Sequence, residues 1–136
     1  MPIPSTARGF TPSDDDVESV LAWFGRYDAF VEAKDVGAMA DMAMFPLNEV
    51  TDGHAAACDR ATFVAQMTEQ VGGAEDIVME SVRTPHFVDA NLVFVITDAA
   101  ITAGGQTQQV RYGDLLVKCD GQWKFQTMVQ GGWDEF

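Results

Sequence analysis

Asp114, Asp52 and Tyr27 are the side chains whose types and settings could carry chemistry. Asp114, in Tyr112-Gly113-Asp114-Leu115-Leu116, interrupts a run of strand-forming apolar residues, and a lone buried carboxylate is costly. It reads as a pocket group, as an ion-pair partner of Arg111 or Lys118, or as a rim residue. Asp98, in Ile96-Thr97-Asp98-Ala99, poses the same question. Asp52 directly precedes Gly53, a common hairpin-turn pairing; the alternative is a base projecting into a pocket. Tyr27 lies on an apolar helical stripe, so its hydroxyl should point inward toward one hydrogen-bond partner.

The two histidines, His54 and His86, complete the polar inventory. Asp52 and His54 are two residues apart and can share a strand face, so with His86 they could ligate a metal. Solvated side chains are the simpler reading, and no metal is expected. Cys58 and Cys119 lie too far apart in sequence for a metal knuckle or redox pair and read as reduced thiols, with a disulfide left open. There is no Gly-x-Ser-x-Gly nucleophile turn and no phosphate loop, so no organic cofactor is expected.

These groups need elements to hold them. Residues 1–10 read as a loose arm, and residues 11–136 as one domain. Thr11-Pro12-Ser13-Asp14 offers a hydroxyl cap, a proline for the first helical position and acids near the positive end of the helix dipole. Val17, Val20, Leu21, Phe24, Tyr27 and Val31 then recur at helical spacing, predicting a helix to about Lys34. A short helix carrying Met39, Met42 and Ala43 should end at Pro46. Leu47–Thr51, the Asp52-Gly53 turn and Ala55–Cys58 read as a hairpin. Asp59 caps a third helix with Phe63, Val64 and Met67 inward, closed by Gly72-Gly73.

The second half is rich in β-branched and aromatic residues. It predicts strands over 77–82 and 87–88 (bent at His86), then 92–101, 108–119 and 123–129. Helices followed by antiparallel strands make an α+β domain with helices on one sheet face. Leu92–Ile96 is continuously apolar, and Val110–Val117 has apolar residues on both parities, so the second face should also be covered. A homodimer packing sheet to sheet is the simplest cover.

Composition narrows the function. The 136 residues contain 8 Lys+Arg against 21 Asp+Glu, a formal charge of −13, with 47% hydrophobic and 21% charged residues. That is a globular composition. Scattered cations in so acidic a chain exclude phosphate-backbone binding and adhesion to anionic membranes. The longest apolar run falls far short of the roughly 20 residues that span a bilayer. With no apolar stretch near the N-terminus, a cytoplasmic protein is expected.

The stretch RYDAFVEAKDVGAMADMAMFPLNEVTDG resembles the opening helices and first strand of the nuclear transport factor two-like superfamily. CDRATFVAQM is similar to its third helix, and YGDLLVKCDGQWKFQTMVQGGW to its closing hairpin. The resemblance implies an α+β roll: three helices on a strongly bent, mixed but mostly antiparallel sheet, enclosing a pocket, often in a dimer. Within the superfamily the chain is similar to the ketosteroid isomerases, whose inward tyrosine, aspartate base and proton-bearing aspartate fall at Tyr27, Asp52 and Asp114. That parallel implies proton transfer on an apolar carbonyl compound. Asp52 would be the base; Tyr27 and a protonated Asp114 would donate to the enolate oxygen. The pocket walls would include Trp23, Phe24, His54, Phe63, His86, Tyr112 and Met128; Trp123 and Trp133 are core or lining residues. Two alternatives remain: a non-catalytic ligand-binding or dimerisation module, and a dehydratase or cyclase using a histidine base.

Overall fold

A computed structural model describes residues 10–72 and 78–131. The arm before Phe10, Gly73, Ile77 and Trp133 lie outside the described residues.

Helix α1 (Asp14–Glu32) starts two residues later than Thr11-Pro12 suggests. Ser13 is the N-cap, its hydroxyl accepting from the Asp16 N–H while the Asp16 carboxylate accepts from the Ser13 N–H. This reciprocal capping box satisfies two otherwise orphaned donors. The buried stripe is Val20, Trp23 and Phe24, continued by Tyr27 and Phe30. Leu21 and Val31, expected inside, are 42% and 37% exposed. Bulky Trp23 and Phe30 turn the stripe by one residue because they bury more apolar area.

Helix α2 (Val36–Asp41) is capped by Asp35, and α3 (Arg60–Gly72) starts at Asp59, whose carboxylate accepts from the Thr62 N–H at 2.8 Å. Pro46 does not end α2. It lies inside strand β1 (Ala43–Thr51), after a cis peptide bond. Strand β2 (His54–Cys58) completes the expected hairpin. Strands β3 (Val78–Asp89), β4 (Leu92–Ala103), β5 (Gln106–Cys119) and β6 (Gln122–Gln130) follow. The two segments expected around His86 are one continuous strand, whose irregularity falls between Phe87 and Asp89. Pro85 is tolerated because β3 is an edge. Asp120 (φ 51°) and Gly121 (φ 77°) both adopt left-handed backbone, giving β5 and β6 the tight turn that matches strand twist.

The six strands form one open sheet in the order β2-β1-β6-β5-β4-β3, antiparallel except where β1 runs parallel to β6. The three helices and this mixed sheet make an α+β roll. The core joins Val20, Trp23 and Phe24 to Leu47, Phe63, Val93, Val95, Leu116 and Phe125. On the opposite face the Phe94 ring lies across Gly113, where an added Cβ would come within 2.5 Å of it. No helix is long and apolar enough to cross a membrane.

Candidate functional site

Strand alternation and register sort the helix-facing residues into transverse rungs. One rung is Phe87–Val93–Leu116–Phe125, the next Pro85–Val95–Asp114–Met128 with Glu49 beyond it, and the next Arg83–Thr97–Tyr112–Gln130. Polarity therefore rises from one end of the concave face to the other.

At the polar end, Arg83 is clamped. Its Nη1 and Nη2 donate to Asp28 of α1 at 2.6 and 3.1 Å, its Nε to the Thr97 hydroxyl at 3.3 Å, and Nη2 also to the Tyr112 hydroxyl at 3.4 Å. The guanidinium carbon sits 4.4 Å from the Phe24 ring centroid. The Arg83 side chain is 9% exposed and that of Asp28 34%. Burial disfavours the Arg83 charge, but the hydrogen bonds and charge of Asp28 outweigh it, and its pKa is raised. A planar fork on a carboxylate suits such a setting. Because Tyr112 accepts from this cation, its own O–H is left free to donate, polarised by the bond behind it.

Asp114 sits one rung inward and is buried. Burial pushes its carboxyl up from the ordinary 3.8 to about 7, the charge of Arg83 opposing the shift; among the described residues no hydrogen bond to its carboxylate contributes. Tyr27 faces it from α1. Its ring is stacked on Trp23 (centroids 5.5 Å apart, planes 5° apart) and meets Phe125 edge-on at 5.3 Å. Burial and then the charges of Asp114, Tyr112 and Asp28 raise the Tyr27 pKa, so the phenol keeps its proton. Burial likewise raises that of Tyr112, with Arg83 pulling the other way. The result is a titratable carboxyl facing two phenolic donors, with a fixed ion pair behind one of them.

Of the sequence-derived candidates, the fold brings Tyr27, Tyr112, Asp114, Met128, Trp23 and Phe24 to this face. Phe63 is 1% exposed and packs on Phe45 and Phe125, in the core. Asp52 and His54 are exposed at the β1–β2 hairpin tip. An added Cβ on Gly131 would come 3.3 Å from an Asp52 carboxylate oxygen, so the tip overlies the end of β6. His86 is corrected outright. It pairs with Phe94 on the opposite face and is exposed, because strand parity puts it one step out of phase with Arg83 and Pro85. Asp98 lies on that face too, paired with Arg111 at 2.6 Å; Arg111 is thus not the partner of Asp114. Cys58 and Cys119 are free; burial, then Glu49, pushes the Cys58 thiol up to about 11. Among the described residues no group of three or more His, Cys, Asp and Glu could hold a metal ion.

Sequence reasoning missed Asp28 and Arg83. The available signal was positional: Asp28 is four residues after Phe24 and eight after Val20 on the inward stripe, and Arg83 shares strand parity with Pro85 and Phe87.

Element order, sheet order and the helix-covered concave face together match a known architecture. This is the nuclear transport factor two-like fold. An NTF2-like protein of unknown function from Pseudomonas putida superposes with a TM-score of 0.76 at 13% identity, covering 89% of each chain. A candidate dehydratase of the NTF2-like family from Streptomyces avermitilis gives 0.72 at 14% identity, over 89% of this chain and 97% of the other. A candidate scytalone dehydratase from Novosphingobium aromaticivorans gives 0.67 at 16%, over 84% and 81%. No protein-family profile and no curated protein matches the sequence. Identities this low establish the nuclear transport factor two-like fold and leave function to the site.

Proposed function

We propose that this protein is a cofactor-independent proton-transfer enzyme acting on a small, largely apolar carbonyl compound. The observation that carries the reading is Asp114: a buried carboxyl without a hydrogen-bond partner among the described residues, poised at about 7 and facing Tyr27. A general base works best when its pKa lies near the working pH. As carboxylate, Asp114 takes a proton from the carbon beside the carbonyl; the electron pair moves onto oxygen, where the Tyr27 and Tyr112 hydroxyls donate to the enolate. The protonated Asp114 then returns the proton, to a second carbon in an isomerisation or to a departing hydroxyl, leaving as water, in a dehydration. The names carried by the Streptomyces and Novosphingobium neighbours favour the second outcome.

This reading moves the base from Asp52 to Asp114, since Asp52 sits in solvent at a hairpin tip. The exposed His86 on the far sheet face equally disfavours a histidine base. Hydrogen–deuterium exchange beside the carbonyl of cyclic ketones and β-hydroxy ketones, followed by NMR in heavy water, tests the proposal. Catalysed exchange is expected for the wild type and about a hundredfold less for Asp114→Asn; equal exchange by both would overturn it.

The far sheet face favours a homodimer as the working form. Phe94, Ile96, Leu115 and Val129 are only half-buried there, and Val82 and Val88 are 67% and 66% exposed. Exposed apolar side chains gathered on one sheet face suit a protein interface.

A further inference from the structure

A cavity lies on the other flank of α1. It is a cleft of about 480 Å³ between α1, the end of α2 and the β5–β6 hairpin, and it shares only Trp23 with the candidate site. Its floor is two indoles. Trp23 Nε1 donates to the Trp123 carbonyl at 2.9 Å, and Trp123 Nε1 to the Ser19 hydroxyl at 3.1 Å. Both N–H groups are thus satisfied, so what the two largely buried rings show to the cleft is a narrow apolar edge, Trp23 being 3% and Trp123 6% exposed.

Its rim carries Arg26, Lys118 and Lys124. Elsewhere cations are neutralised: Arg60 by Asp41, Arg83 by Asp28 and Arg111 by Asp98. Four described cations, Arg26, Lys34, Lys118 and Lys124, enter no ion pair among the described residues, and three of these four meet at this cleft. Lys118 Nζ hangs 5.4 Å from the Trp123 ring centroid, and Lys124 Nζ donates to the Asp41 carbonyl oxygen. Asp41 also lines the cleft, but its carboxylate holds Arg60; Asp16 accepts from Ser13 and also feels Lys118. In a chain of net charge −13, a small cleft rimmed by unpaired cations over aromatic walls has the chemistry to select an anion with a flat apolar body. The volume suits a small organic molecule rather than a polypeptide.

We propose that this cleft binds a planar aromatic carboxylate, its ring against Trp123 and its carboxylate between Arg26 and Lys118. The probe is 2-naphthoate, titrated by calorimetry and tryptophan fluorescence, with 2-naphthamide as the uncharged isostere. Saturable binding of the acid is expected at about millimolar concentration or below, weakening with added salt. Arg26→Gln and Lys118→Gln should each weaken it about three- to fivefold, and the double variant about tenfold or more, with thermal midpoints kept. Asp114→Asn should bind like the wild type. Equal affinity for the amide, absence of saturable binding, or loss of binding in Asp114→Asn but not in Arg26→Gln/Lys118→Gln would each overturn the proposal; the last would put the ligand in the interior.

Discussion

At one end of the concave sheet face Phe87, Val93, Leu116 and Phe125 line up across four strands without a polar side-chain atom. Two rungs away Arg83, Thr97, Tyr112 and Gln130 occupy the equivalent positions, and Asp114 stands between. The same four strands carry both ends, with ladder irregularities only beside the apolar rung. Packing alone accounts for the first end, where burying rings against Trp23 and Phe63 is favourable. It does not account for the second. There a guanidinium, two phenols and two carboxyls leave water, and only the pair Asp28–Arg83 is matched in charge. Groups placed at a desolvation cost with one carboxyl unpartnered are what a reactive site requires and what a core avoids.

The contrast can be broken from either end. The largest loss is expected at the apolar end: Phe125→Ala should cost about 3–5 kcal/mol, read as a denaturation midpoint, by the same amount at pH 5 and pH 8. Asp114→Asn should instead change the pH dependence. Because the folded carboxyl titrates near 7 and the unfolded one near 3.8, the unfolded chain releases this proton first. Raising the pH from 4 to 8 therefore destabilises the wild type through this group, by about 4 kcal/mol in all. The stability of Asp114→Asn relative to wild type should rise by that amount over the interval; a flat difference would return Asp114 to ordinary surface behaviour. Arg83→Met should cost about 2–3 kcal/mol, less than a fully buried pair because Asp28 keeps some water contact. Smallest in stability is Tyr27→Phe, at about zero, because among the described residues the Tyr27 hydroxyl makes no hydrogen bond to lose. That variant should nevertheless lose most ketone exchange, whereas His86→Ala should change neither.

Much of this was legible from local pattern. Asp114 stood out because a charge broke an apolar strand, Asp59 declared the start of the third helix, and the Thr11–Asp14 run placed the start of α1 to within two residues. Local pattern fails where the deciding contact is distant. The Asp28–Arg83 bond joins residues 55 apart in sequence, and nothing in either neighbourhood specifies the other. The parallel pairing of β1 with β6 is long-range as well, and it lets the first strand accommodate Pro46. The phase of the α1 stripe depended on which rings the sheet could bury, so Leu21 and Val31 went outside. Asp52 read first as a turn residue and second as a base, and it lies exposed in the β1–β2 turn.

The account rests on a carboxyl kept neutral by its surroundings until the pH approaches neutrality. Selective carbon-13 labelling of aspartate and an NMR titration of the side-chain carboxyl, with Asp114→Asn to assign the resonance, measure this directly. A midpoint near 7 is expected, displaced when Arg83 is replaced by Met; a midpoint near 3.8, unmoved by that replacement, would contradict the account.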